Sequence, residues 1–210
     1  MEVSIPNEIK SFIRVLHASP KSPSVDIYIN NMPTIIDLRY KGFTEYLPIS
    51  AGTYNIKLYE NGTTNLVFQD DVKVEPNQIL TVAAIGRNPK SLSLFPIIDP
   101  KLTVDTTKAY LRLVHLSPNA PSLDVLTSNG NTLFENVGYK GKQGYIGLEA
   151  NIYDIDLNLT GTTTSVLYVP NMKLRPNKFY TIYVVGLLNE NPPLQVLIPL
   201  DGNSYINFYS

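Results

Sequence analysis

The chain of 210 residues contains no cysteine and no tryptophan. Without thiols it has no thiolate nucleophile, no zinc-finger or iron-sulfur ligand set and no disulfide. Charge is sparse and balanced, with 17 Lys and Arg against 18 Asp and Glu. Nucleic acid and anionic membrane surfaces both call for clustered basic residues, so neither is an expected partner. No stretch approaches the ~18 apolar residues of a spanning helix, so no membrane span is expected. The opening residues, MEVSIPNEIK, lack the basic start and the apolar run of about 7 to 15 residues that a secretory signal requires. Either export by the general route does not occur, or a signal lay ahead of this numbering. No cofactor motif is present.

What the chain does contain is β-forming material. Sixteen prolines, each of which would remove a backbone donor inside a helix, argue against long helices. Fourteen Tyr and seven Phe, with 43% hydrophobic residues overall, supply a core that disordered chains lack. The informative feature is an internal repeat. FIRVLHASPKSPSVDIYI, from Phe12, returns as YLRLVHLSPNAPSLDVLT, from Tyr110. Tyr40-Lys41-Gly42 returns as Tyr139-Lys140-Gly141, Gly62-Thr63-Thr64 as Gly161-Thr162-Thr163, and Pro76, Asn77, Thr81 and Gly86 as Pro176, Asn177, Thr181 and Gly186. The offset drifts from 98 to 100, too long for a solenoid unit and the size of an independently folding domain.

Within each repeat the pattern has the period of a half-buried strand. Tyr54, Ile56 and Leu58 share one face of TYNIKLY, and Tyr153, Ile155, Leu157 and Leu159 share one face of IYDIDLNL. Turn residues punctuate these runs, among them Asn61-Gly62, Pro76-Asn77, Asn129-Gly130 and Pro176-Asn177, giving strands at the spacing of a sandwich. In the first repeat the strands are expected near 12–17, 24–30, 34–37, 43–48, 53–60, 66–74 and 78–87, with an edge strand near 92–98. The expected core takes Val15, Ile27, Ile56, Leu58 and Val82, with Leu113, Val125, Ile155, Leu157 and Ile182 as counterparts. The expected fold is all-β, two tandem Ig-like antiparallel β-sandwich domains. An N-terminal extension over 1–11 precedes the sandwich at 12–99, a polar linker at 100–109, the sandwich at 110–201 and a C-terminal strand extension at 202–210.

HASPKSPSVD at 17–26 and HLSPNAPSLD at 115–124, followed by ISAGTYNIKL and by PNQILTVAAIG or PNKFYTIYVVG, resemble the bacterial domain of unknown function 4397 family. The resemblance covers nearly the whole chain as two tandem copies. It implies an Ig-like sandwich of the kind found in bacterial cell-surface proteins, hence a cell-surface or extracellular location, and no catalytic residue. One departure is Ala150-Asn151, where the family pattern has Ala-Gly.

The duplicated frame H-x-S-P-x-x-P-S-x-D gathers the residues most open to a chemical reading. They are Arg14, His17, Ser19, Pro20, Pro23 and Asp26, then Arg112, His115, Ser117, Pro118, Pro121 and Asp124. A Ser-His-Asp set requires an exposed serine on a sharp turn beside an oxyanion hole, and no nucleophile elbow accompanies Ser19 or Ser117. One imidazole and one carboxylate are two ligands where a closed zinc site takes four. The structural reading is preferred: His ends a strand, the prolines fix the loop, and Asp opens the next strand. On that reading Arg14 meets Asp26, and Arg112 meets Asp124, across a strand pair. Asp70-Asp71 lacks a calcium loop around it. The sequons at Asn61 and Asn158 are short motifs that arise by chance.

A non-enzymatic structural or adhesive role fits these features. The competing reading is a glycan or small-ligand module that uses loops at one end of the sandwiches. The C-terminal SYINFYS alternates Tyr205 and Tyr209 against Ile206 and Phe208. That pattern suggests a short strand for self-association, so a homo-oligomer or filament through edge strands and a glycan are the partners left open.

Overall fold

The computed structural model describes residues 10–206. The first repeat holds β1 (Lys10–His17), β2 (Val25–Ile29), β3 (Met32–Leu38), β4 (Leu47–Ser50), β5 (Gly52–Glu60), β6 (Leu66–Val74), β7 (Ile79–Ile85) and β8 (Ser93–Ile98). The second holds β9 (Lys108–His115), β10 (Leu123–Thr127), β11 (Thr132–Val137), β12 (Ile146–Glu149), β13 (Ile152–Leu159), β14 (Ser165–Lys173), β15 (Phe179–Val185) and β16 (Gln195–Leu197). Strand order is β4-β1-β7-β8 over β3-β2-β5-β6, and β12-β9-β15-β16 over β11-β10-β13-β14. This is a pair of Ig-like β-sandwiches. Pairing is antiparallel except at β1–β7 and β9–β15, which run parallel. The expected strand at 43–48 forms later in the chain, as β4. Phe43 contributes only an isolated bridge to Leu16, because Thr44 turns its hydroxyl onto the Val15 N–H at 2.9 Å.

Each sandwich closes over its own core. Ile13, Val15, Val25, Ile27, Ile56, Leu58, Leu80 and Val82 fill the first, and Leu111, Leu113, Leu123, Val125, Ile155, Leu157, Ile182 and Val184 fill the second. The alternating positions of β5 and β13 supply this layer because one face of each outer sheet meets water. β7 and β15 behave differently. All seven residues of each, ILTVAAI and FYTIYVV, are buried.

A third apolar cluster explains the difference. Leu16, Ala83, Ile85 and Ile97 from the first repeat pack against Val114, Leu116, Tyr183 and Val185 from the second, with Phe43, Phe95, Tyr139 and Leu197 around them. The β1–β7 and β9–β15 sheets therefore lie face to face, and the molecule is a stack of four sheets. At ~1.5 to 3 kcal/mol for each large aliphatic side chain removed from water, this layer is comparable to the core of a small domain. Such an interface holds tethered domains as one body, where a small polar one would let them move.

The chain past β16 also departs from expectation. Gly202–Ser204 is a single 3-10 turn, and the Ile206 N–H bonds back to the Gly202 carbonyl at 2.8 Å. Tyr205 stacks edge-on against Tyr46 of the first repeat with ring centroids 6.1 Å apart. Tyr205 and Ile206 thus form no strand. Phe208 and Tyr209 lie outside the described residues.

Candidate functional site

His17 closes β1, and its ring is fixed by the loop that follows. Nε2 lies 2.9 Å from the Pro23 carbonyl oxygen, while Nδ1 takes the Ser19 N–H at 3.4 Å. A carbonyl only accepts, so Nε2 carries the proton. His115 repeats the contact, Nε2 to the Pro121 carbonyl at 3.2 Å. Burial holds both imidazoles below their ordinary pKa of 6.5. The serines are engaged elsewhere: Ser19 Oγ pairs with Ser22 Oγ at 2.7 Å, and Ser117 Oγ donates to the Gly186 carbonyl at 2.8 Å. Asp26 accepts from the Asp37 N–H, the Asn61 amide and the Gly62 N–H at 2.9, 2.8 and 3.1 Å. Asp124 accepts from the Asn136 N–H, Thr160 Oγ1 and the Gly161 N–H at 2.7, 2.9 and 3.0 Å.

These bonds give the aspartates a local task. Asp37 and Asn136 are the positive-φ residues, at 54° and 50°, that kink β3 and β11. The carboxylate ties that kink to the following β5–β6 or β13–β14 turn. Donated hydrogen bonds, first from Asp37 or Asn136, keep both carboxyls below their ordinary range. The side chains of the duplicated His, Ser and Asp therefore bond loop and turn groups rather than one another, and form no relay. Among the described residues no group of three His, Asp or Glu side chains is placed to hold a metal ion. No helix in them is long and apolar enough to cross a membrane.

Replacing His17 or His115 by Gln should cost about 1 kcal/mol each, the worth of a buried hydrogen bond. The pH sign follows from linkage. Because folding lowers the imidazole pKa, this stability is present above 6.5 and is lost as pH falls below it. Urea unfolding at about pH 7.5 and 5.5 should show that decline weakened in the double variant. An unchanged slope would refute the assignment.

Arg14 and Arg112 do not meet Asp26 and Asp124. β1 and β2 lie in different sheets, as do β9 and β10, so the pairs that are close in sequence are not cross-strand neighbours. Instead each arginine crosses to the other repeat. Arg14 bonds Asp201 at 2.9 Å and the Leu200 carbonyl at 2.9 Å, with Nε on Thr81 Oγ1 at 2.8 Å. Arg112 bonds Asp99 at 2.5 Å and the Ile98 carbonyl at 2.8 Å, with Nε on Thr181 Oγ1 at 2.6 Å. Tyr46 OH donates to Asp99 at 3.1 Å and Tyr145 OH to Asp201 at 2.6 Å. The two guanidinium groups also lie over the rings of Tyr46 and Tyr145, each at 4.6 Å. Contacts repeat in this way because the repeats face each other about a local two-fold.

The four charged side chains are at most 5% exposed. Burial, and then the neighbouring Asp201, push the Asp99 carboxyl up to about 6. Its effect on stability is opposite in sign to that of the histidines: the contribution is greatest in acid and falls as pH rises through about 6. Reading the sequence does not single out Asp99, Asp201, Thr81, Thr181, Tyr46, Tyr145 and Tyr183 as a junction. A signal exists, since Ile98-Asp99 and Leu200-Asp201 end the two repeats in parallel. The sequence pattern instead sets Asp99 at the edge of a polar linker, where few contacts are expected to cross.

Surface relief is shallow. One groove of about 460 Å³ runs between β11 and β12, lined by Thr132, Phe134, Gln143 and Tyr145 among others. Another of about 390 Å³ is bounded by the loop around Glu190, which also bonds Lys21 and Arg87 of the first repeat at 2.9 and 2.5 Å.

The fold and the duplicated loop define a tandem Ig-like β-sandwich protein. The chain belongs to the family described as Domain of unknown function (DUF4397), whose model matches residues 11–126. No curated protein sequence matches it. Among solved structures it is similar to the Bacillus anthracis TIE protein, at 11% identity and a TM-score of 0.28 over 89% of this chain, and it spans 34% of that protein. It is also similar to a family 26 carbohydrate-binding module from Eubacterium rectale solved in complex with maltoheptaose. The identity is 10%, the TM-score 0.28, and the match covers 90% of this chain and 96% of that one. A putative cell adhesion protein from Bacteroides eggerthii gives 9% identity and a TM-score of 0.24 over 94% and 97% of the two chains. Similarity this slight transfers no ligand or activity.

Proposed function

We propose that the chain is a non-enzymatic structural or adhesive module of the bacterial surface, in which two sandwiches act as one rigid element. The observation that carries this reading is the junction. The apolar layer between the β1–β7 and β9–β15 sheets encloses four charges, a costly arrangement whose outcome is a fixed relative placement of the repeats. The polar groups of the duplicated loop support the same reading, because their hydrogen bonds shape turns. Two measurements test it. Pulling the chain by its ends should release both repeats in one rupture event, and two independent low-force events would argue against a rigid element. Antibody to the purified protein should decorate intact producing cells. Labelling that appears only after lysis would refute the surface placement.

A further inference from the structure

Stacking the inner sheets leaves two outward sheet faces at opposite ends of the molecule, β3-β2-β5-β6 and β11-β10-β13-β14. Pairing registers place the residues of these faces in equivalent positions. Tyr28 lies opposite Lys57, and Lys57 opposite Gln69; on the other face Leu126 lies opposite Asp156, and Asp156 opposite Tyr168. In the next row Asp26 lies opposite Tyr59, and Tyr59 opposite Leu66; their counterparts are Asp124, Asn158 and Ser165.

The repeat thus acts as its own control. The second sandwich folds with Ser165 and Glu135 where the first has Leu66 and Ile36, so the fold does not require apolar groups there. Yet Ile36 is 62% and Leu66 47% exposed, beside a Tyr28–Tyr59 ring pair 4.9 Å apart. The other face carries its own exposed apolar groups, Tyr168 at 51% and Ile152 at 55%. Charge differs in sign in the central row of the two faces, although the first also carries Asp71 opposite Asn55 and the second Lys173 opposite Ile152. Lys57 stands where the second face has Asp156, and Asn55 where it has Asp154. Among the described residues neither Lys57 nor Asp154, Asp156 or Glu135 is in an ion pair.

We propose that the outer face of the first repeat docks on the outer face of the second repeat of another copy of this chain. Lys57 then meets the Asp154–Asp156 edge, and the tyrosine pair with Ile36 and Leu66 covers Leu126 and Tyr168. Sheet-on-sheet contact is already how the repeats pack within one chain. Pairing the second face with itself would bring carboxylates together, which disfavours a two-fold dimer closed through that face. Unlike faces at opposite ends make a head-to-tail contact that does not close, and the product is a filament. This inference rests on the structural reading above and names its partner.

Light scattering on the full chain tests it. Mass should rise with concentration in low salt and fall on adding salt. Lys57→Glu and Asp156→Lys should each weaken association about tenfold or more, and the double variant Lys57→Glu/Asp156→Lys should recover it. Circular dichroism verifies that each variant folds. A chain that stays monomeric at its highest soluble concentration overturns the proposal. So does association that ignores both single changes, or a glycan bound by a monomeric chain and lost in Tyr59→Ala. Rupture behaviour and surface labelling are readable on a monomer, so a monomeric result removes this contact and leaves the surface module standing.

Discussion

Replacing Asp201 by Ala should lower unfolding stability by about 3 to 5 kcal/mol, the usual loss when one partner of a buried ion pair is removed. Asp201 is fully buried and accepts from Arg14, from Tyr145 OH at 2.6 Å and from Thr181 Oγ1, with Arg112 at 3.5 Å. Its loss leaves two guanidinium groups enclosed with one carboxylate between them. For comparison, the Lys21–Glu190 pair, with side chains 40% and 33% exposed, is worth at most about 1 kcal/mol in solvent. Both pairs join the repeats, so the contrast isolates burial. Urea denaturation of Asp201→Ala and Lys21→Ala measures it, and near-equal losses would show that the cluster is not the main polar tie. Calorimetry of Asp201→Ala should also resolve two transitions where the parent shows one.

Tyr183→Ala should cost about 3 to 5 kcal/mol, the range for truncating a buried aromatic side chain. Tyr183 is 0% exposed, and its ring centroid lies 5.7 Å from that of Phe43 across the junction. The ring fills the space between sheets, whereas its hydroxyl makes a long 3.5 Å contact with Arg14. Tyr183→Phe should therefore lose about 1 kcal/mol or less. If the two variants lost equal stability, the hydroxyl contact would outweigh the ring and the packing account would fail.

Where one face of a strand meets water, its sequence states which residues are inside. Ile56 and Leu58, with Ile155 and Leu157, are legible for that reason, and all four are at most 1% exposed. Val15, Val82, Leu113 and Ile182 also alternate toward their own cores. Alternation is silent about the opposite side of the same strands, where Leu16, Ala83, Val114 and Tyr183 meet the other repeat. The hint lies in composition: ILTVAAI and FYTIYVV are apolar almost throughout, as strands covered on both faces are. The arginine partners are not legible because the Ser-Pro loop between His17 and Asp26 crosses from one sheet to the other. Nearness along the chain suggests a hairpin there. The Gly202-Asn203 turn likewise suggests a reversal into a strand, while the N–H groups of Ser204 and Tyr205 bond back within the turn.

Arg14 and Asp201 are separated by 187 positions along the chain. During synthesis, at roughly 5 to 20 residues per second, the first sandwich is complete while its Arg14 pocket still lacks its acid and its β1–β7 face is still bare. The face is covered only when β9 and β15 have emerged, and the pocket only when Asp201, past the last strand of the second sandwich, has followed. A nascent or truncated chain thus displays an apolar sheet with an unmatched positive charge at its centre, the kind of surface that chaperones and proteases act on. The same acid that locks the two repeats together therefore arrives only once the second sandwich has been made.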